Sequence, residues 1–175
     1  VGTGHGLAQS LRFYNQTAYR NVATENQLNV QYVQLYAKCS ETTSTAYIYV
    51  GTTDMADVAA IVRFNSDAHI EALDGDGGGG GVWVPVALYQ ITIKLDYAAG
   101  AYRVAVAGAY NSADLGFRDP LAIAGLRAIK FEQTGGGTEL FVDDLCASNT
   151  PYPPGSNGDP YWFQTFNHWS LNYGV

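Results

Sequence analysis

Charge is scarce in this chain. Asp, Glu, Lys and Arg together make up 14% of the 175 residues, against about 25% in an average domain. Only nine of these are basic, so the formal net charge is −7, and no run of Lys or Arg exists. A chain so charged is repelled by phosphate backbones and anionic lipid, which excludes nucleic acid as a partner. Long hydrophobic runs are also missing: none approaches the roughly 18 residues needed to cross a bilayer, which argues against membrane insertion. Strong helix formers are few, with three lysines and one methionine, and no 11-residue window carries a helical apolar stripe. Cysteine occurs twice, at Cys39 and Cys146.

What is abundant is tyrosine, glycine, threonine and asparagine, with 13 Tyr and 20 Gly. Uncharged polar surfaces of this kind are common in extracellular β proteins. The sequence begins at Val1, without Met or a basic and apolar leader, as expected of a secreted product whose signal peptide has been removed. Each cysteine ends a strand-like run on a position that alternation turns inward. A Cys39–Cys146 disulfide is expected, closing a loop of about 107 residues worth roughly 4–5 kcal/mol in the chain-entropy model. Two buried thiols are the alternative.

Apolar–polar alternation recurs from Leu11 to Leu145. It predicts strands over Ser10–Asn15, Val30–Cys39, Thr45–Val50, Ala59–Phe64, His69–Leu73, Tyr89–Tyr97, Tyr102–Ala107, Leu126–Gln133 and Glu139–Cys146. Turn-rich clusters separate them, among them the glycine run Asp74–Gly81, read as a flexible hairpin loop. The expected fold is all-β, an antiparallel two-sheet sandwich spanning residues 1–147. A proline-rich spacer follows at 148–160 and an aromatic C-terminal strand or tail at 161–175.

Several residues invite functional readings. Trp83 beside the glycine run is placed to stack on a sugar ring or to fill the rim of the core. Asp143 and Asp144 are candidates for Ca²⁺, or for a strand-end turn; no other cofactor is implied. Asn15-Gln-Thr17 matches an N-glycosylation acceptor, although it lies within an expected strand. His5, His69 and His168 are scattered, without a second ligand at metal spacing.

The tail carries the most unusual pattern. Tyr161–Val175 holds six aromatics and no charged residue. As a strand it has one mostly apolar face. It has three possible homes: its own sandwich, the sheet edge of a neighbouring copy, or a glycan. The first reading of the protein is therefore a non-catalytic extracellular structural or adhesive subunit. It would self-associate, into a filament or a surface assembly, through sheet edges and through Tyr161, Trp162, Phe163, Phe166, Trp169, Leu171 and Tyr173. The alternative is a secreted carbohydrate-binding module using Trp83, Trp162 and Trp169.

The stretch Tyr89–Gly108, YQITIKLDYAAGAYRVAVAG, resembles the central hairpin of the concanavalin A-like, laminin-G-like jelly rolls. Ile61–Leu73 is similar to the strand pair before that hairpin, and Phe141-Val-Asp-Asp-Leu145 to the closing strand. The resemblance covers about residues 10–147 and implies a jelly roll with a C-terminal extension. It does not fix a function, because this fold hosts lectins, adhesion modules and glycanases. Catalytic members of the superfamily carry two Glu and an Asp alternating along one strand. That pattern is absent here: Glu71 and Asp74 fall on opposite faces, and Glu139 and Asp143 read as a solvated pair. No catalytic residue is expected.

Overall fold

The computed structural model describes residues 11–21, 31–40, 44–52, 55–67, 69–75, 78–79, 84–85, 89–107, 109–110, 112–119, 128–133, 137–148 and 162–164. Two antiparallel sheets face each other, and among the described residues there is no α-helix. The first sheet, sheet A, contains β1 (Leu11–Phe13), β3 (Tyr32–Cys39), β9 (Tyr89–Asp96), β10 (Ala101–Val106), β11 (Ala109–Tyr110), β12 (Leu115–Gly116), β14 (Leu140–Ser148) and β15 (Trp162–Gln164). Its main path runs β1-β14-β3-β9-β10-β11. Sheet B contains β2 (Gln16–Asn21), β4 (Ala46–Gly51), β5 (Val58–Phe64), β6 (His69–Asp74), β7 (Gly78–Gly79), β8 (Val84–Pro85) and β13 (Ala128–Gln133). It runs β2-β13-β4-β5-β6-β7, with β8 also on β6.

Alternation explains the core. On β3, Val33, Leu35, Ala37 and Cys39 turn inward; on β9, Ile91, Ile93 and Leu95 do so. From sheet B come Ala46, Ile48 and Val50, with Ile129 and Phe131. Phe13 stacks on Phe131 at 5.4 Å, tying the edge of sheet A to sheet B. Fully burying side chains of this size contributes about 1.5–3 kcal/mol each, the main reason the two sheets stay together.

Three expectations change. The first predicted strand, Ser10–Asn15, is cut short at Phe13, and an unpredicted strand, Gln16–Asn21, follows it: Asn15 sits between β1 and β2 with φ of 49°, in the left-handed region that Asn tolerates. The chain there crosses from sheet A to sheet B, so the Asn15 acceptor lies in an exposed turn instead of a strand.

The second concerns the cysteines. Both are free and buried. The register of β14 against β3 shifts between Asp143 and Cys146. Such a bulge inserts an extra residue and reverses the alternation beyond it. Leu140 and Val142 point into the core before the bulge, and Leu145 and Ala147 do so after it. Cys146 is therefore turned to the outer face, opposite Gln34, while Cys39 is in the core opposite Leu140. From Leu140 to Cys146 the strand advances about 20 Å at roughly 3.3 Å per residue, whereas a disulfide needs Cα atoms within about 7 Å. No bridge can form.

The third concerns the tail. Trp162 and Phe163 lie in β15, which pairs antiparallel with the chain's own β14 through Ala147↔Trp162, Cys146↔Phe163 and Leu145↔Gln164. This edge segment thus docks in cis. Tyr161, Phe166, Trp169, Leu171 and Tyr173 lie outside the described residues, as does Trp83.

Candidate functional site

The outer faces of the two sheets differ in what they present. At the middle of sheet A, the outward row Cys146–Gln34–Thr92–Ala105 is closed, with every member 7% exposed or less. Gln34 Nε2 donates to Thr92 Oγ1 at 3.2 Å. Asp143, one of the calcium candidates, is buried on this face opposite Tyr36. Asp144 occupies the bulge. Among the described residues no three His, Cys, Asp or Glu side chains gather to hold a metal.

Sheet B presents an accessible, chemically mixed outer face built from two neighbouring rows. One row is Lys130–Tyr49–Ile61 and the next is Glu132–Tyr47–Arg63–Glu71. The reason is alternation on β4: Ala46, Ile48 and Val50 enter the core, leaving Tyr47 and Tyr49 outward and half-buried. The two rings lie 5.5 Å apart at 24°. The Lys130 ammonium lies 4.7 Å from the Tyr49 ring centroid and pairs with Glu132. Burial pushes the Tyr49 hydroxyl up to about 12, helped by Glu132 and Tyr47 and opposed by Arg118.

Beside the tyrosines is an apolar strip, Val58, Ile61 and Leu73, with Met55 packed on it. Its shape depends on the loop from β4 to β5. Thr52 N–H donates to the Asp57 carbonyl at 2.9 Å, and a Cβ on Gly51 would stand 2.3 Å from that carbonyl oxygen. Only glycine permits that approach.

The polar end is a fixed cluster. Glu71 is 1% exposed; its carboxylate accepts from Arg63, and from Asn65 Nδ2 at 3.2 Å. Asn65 Oδ1 in turn accepts the backbone N–H groups of Asp67 and His69 at 3.0 and 3.1 Å. One asparagine thus shapes the turn and anchors the carboxylate. His69 begins β6 opposite Pro85. The sequence reading weighed Glu71 only against Asp74. The hairpin was the overlooked signal: a turn beginning at Asn65 sets Phe64 opposite Ile70 and Arg63 opposite Glu71.

The other carboxylates are elsewhere. Glu139 pairs with Arg12 at the edge of sheet A, and Asp74 accepts the Gly116 N–H at 2.7 Å, joining the two sheets. Glu71, Asp74, Glu139 and Asp143 therefore form no common group. His5 and His168 lie outside the described residues.

The arrangement of sheets has counterparts among solved structures. A sialidase superposes with a TM-score of 0.62 at 13% identity over 81% of this chain, which spans 15% of that protein's length. The alginate lyase AlgAT5, of polysaccharide lyase family 7, gives 0.51 at 12% identity, covering 75% of this chain and 62% of that one. The Caenorhabditis elegans galectin LEC-6 gives 0.50 at 19% identity, covering 78% and 95%. The fold is the concanavalin A-like jelly roll. In this jelly roll the two tyrosines and the Arg63–Glu71 pair occupy neighbouring positions on the outer face of sheet B. No protein-family model matches the chain, and no curated protein sequence matches it.

Proposed function

We propose that the protein is a non-catalytic, extracellular carbohydrate-binding domain whose ligand lies across the outer face of sheet B. The observation that carries this reading is the fixed Arg63–Glu71–Asn65 cluster set one strand away from Tyr47 and Tyr49. A sugar ring has an apolar C–H face and a rim of hydroxyls. The first is matched by tyrosine rings and aliphatic neighbours. The second is matched by guanidinium, carboxylate and amide groups whose geometry is already fixed, so little ordering entropy remains to be lost on binding. A galectin is among the proteins that share this fold, as are a sialidase and an alginate lyase; binding is preferred here because the carboxylates Glu71, Asp74, Glu139 and Asp143 stand apart. The extracellular assignment rests on composition.

This reading takes precedence over self-assembly through the tail, because β15 occupies the edge of its own sheet. Glycan-array binding followed by calorimetry tests it. Tyr47→Ala and Arg63→Ala should each weaken binding at least tenfold while the domain stays folded. Undiminished binding in both variants would move the site off this face.

A further inference from the structure

Among the described residues three cations lie on or beside the outer face of sheet B, and two of them are neutralised. Arg63 is paired with Glu71, and Lys130 with Glu132. The third, Arg118, is exposed, and it forms no ion pair among the described residues. Its backbone is nevertheless firmly held. Phe117 is buried in the core; the Arg118 N–H donates to the Ala59 carbonyl at 3.2 Å, and the Asp119 N–H to the Val58 carbonyl at 3.0 Å. The Asp119 carboxylate is turned back onto β5, accepting the Val58 N–H at 2.9 Å. Residues 117–119 thus run beside the start of β5, with Phe117 inward and Arg118 outward. Across β5 from this segment stands β4, where Tyr49 faces Ile61. Of the influences on the Tyr49 hydroxyl, the Arg118 charge is the smallest, and it opposes the rise. A fixed backbone carrying a free guanidinium at the border of an aromatic and apolar strip suits a ligand with one anionic group next to an apolar ring face.

We propose that Arg118 reads the carboxylate of an acidic sugar, a uronic or sialic acid, bound on the Tyr47–Tyr49 face. This rests on the carbohydrate-binding reading above and specifies its ligand class. A guanidinium meets a carboxylate with two parallel N–H···O bonds, stronger than the bonds it makes to neutral hydroxyls. The net charge of −7 does not prevent this. Beyond a Debye length of about 8 Å at physiological salt the field of distant carboxylates is screened, and the carboxylates of Glu71, Glu132 and Asp119 already have partners.

The test uses the whole chain on a glycan array bearing uronic-acid and sialic-acid oligosaccharides beside their carboxyl-reduced, neutral counterparts, with affinities of the hits measured by calorimetry. The wild type should prefer an acidic form by about tenfold over its reduced counterpart, the preference shrinking as salt is raised. Arg118→Gln should erase the preference by weakening the acidic ligand to the level of the neutral one. Arg118→Lys should keep part of it. Tyr47→Ala should weaken both forms alike. Equal wild-type affinity for the two forms, or a preference that survives Arg118→Gln, overturns the role of Arg118 and leaves carbohydrate binding standing. Absence of binding to every acidic and neutral glycan overturns both.

Discussion

The hydroxyl of Tyr102, on sheet A, reaches across the core to Ile61 on sheet B. It accepts the Ile61 N–H at 3.4 Å and lies 3.1 Å from the Ile61 carbonyl, with the Leu73 carbonyl as a second acceptor. The pairing of β5 with β6 runs through Phe64↔Ile70, Arg63↔Glu71 and Val62↔Ala72. Beyond it, at Ile61 and Leu73, the tyrosine hydroxyl supplies partners to the backbone. Residues 117–119 then take up β5 at Ala59 and Val58. Ile61 and Leu73 are the apolar strip of the proposed site, so a core residue of the opposite sheet holds the floor of that site in place.

Tyr102→Phe should therefore destabilise the domain by about 1–3 kcal/mol, the cost of leaving buried backbone groups without partners. Urea unfolding measures the loss. A neutral result would show that β5 and β6 close on each other without the hydroxyl.

Thiol chemistry provides a second check. Burial pushes the Cys39 thiol up to about 12 and the Cys146 thiol to about 11. Reactivity belongs to the thiolate, so both should resist alkylation at neutral pH in the folded protein and react fully in denaturant. Mass spectrometry should count two free thiols in non-reduced material; a loss of two hydrogens would contradict the observed register.

The same groups set an alkaline limit to stability. Cys39, Cys146 and Tyr49 all have folded values raised above ordinary ones of 9.0 and 10.0. Below pH 9 both folded and unfolded forms hold these protons, and stability is at its full value. Above it the unfolded chain releases protons that the folded chain retains, so stability should fall progressively between about pH 9 and pH 12. Denaturation midpoints measured across this range test the sign. Cys39→Ala should lessen the slope.

The bulge in β14 predicts the outcome of a deletion. Removing Asp144 would take out the extra residue and restore simple alternation, with Leu145 and Ala147 still inward and Cys146 still outward opposite Gln34. The deletion variant should therefore fold, with circular dichroism like that of the wild type, as should Asp144→Ala; an unfolded deletion variant would show that the bulge is needed for more than register.

Tyr47→Ala is expected to spare the fold and impair binding. Its side chain lies on the outer face of β4, outside the main core. Unfolding and glycan binding measured on the same preparation separate the two effects. A large loss of stability would mean that the ring serves the satellite apolar cluster more than a ligand.

Much of this architecture could be read from alternation. The runs around Val33, Ile48, Ile91 and Val104 name both their strands and their inward faces, because a strand buried on one side must repeat every two residues. What alternation misreads is anything that changes the count. The expected strand Ser10–Asn15 stops at Phe13, and the turn at Asn15 leads into a second strand, Gln16–Asn21, that the pattern did not name. One residue inserted near Asp144 moves Cys146 to the other side of a sheet. Both events are local backbone choices that a residue pattern does not distinguish from its continuation.

Sequence alone determined the class of fold and the placement of the core, since those follow from periodic burial and from the shortage of charge and helix formers. It also set Tyr47 and Tyr49 on a common face. Only the tertiary structure decided that this face is bordered by Arg63, Glu71 and Arg118, that Trp162–Gln164 lie on the chain's own β14, and that the two cysteines stand apart. Those relations concern residues from 8 to 107 positions apart in the chain. They depend on which strands become neighbours and in what register, and that is settled by the packing of the two sheets together.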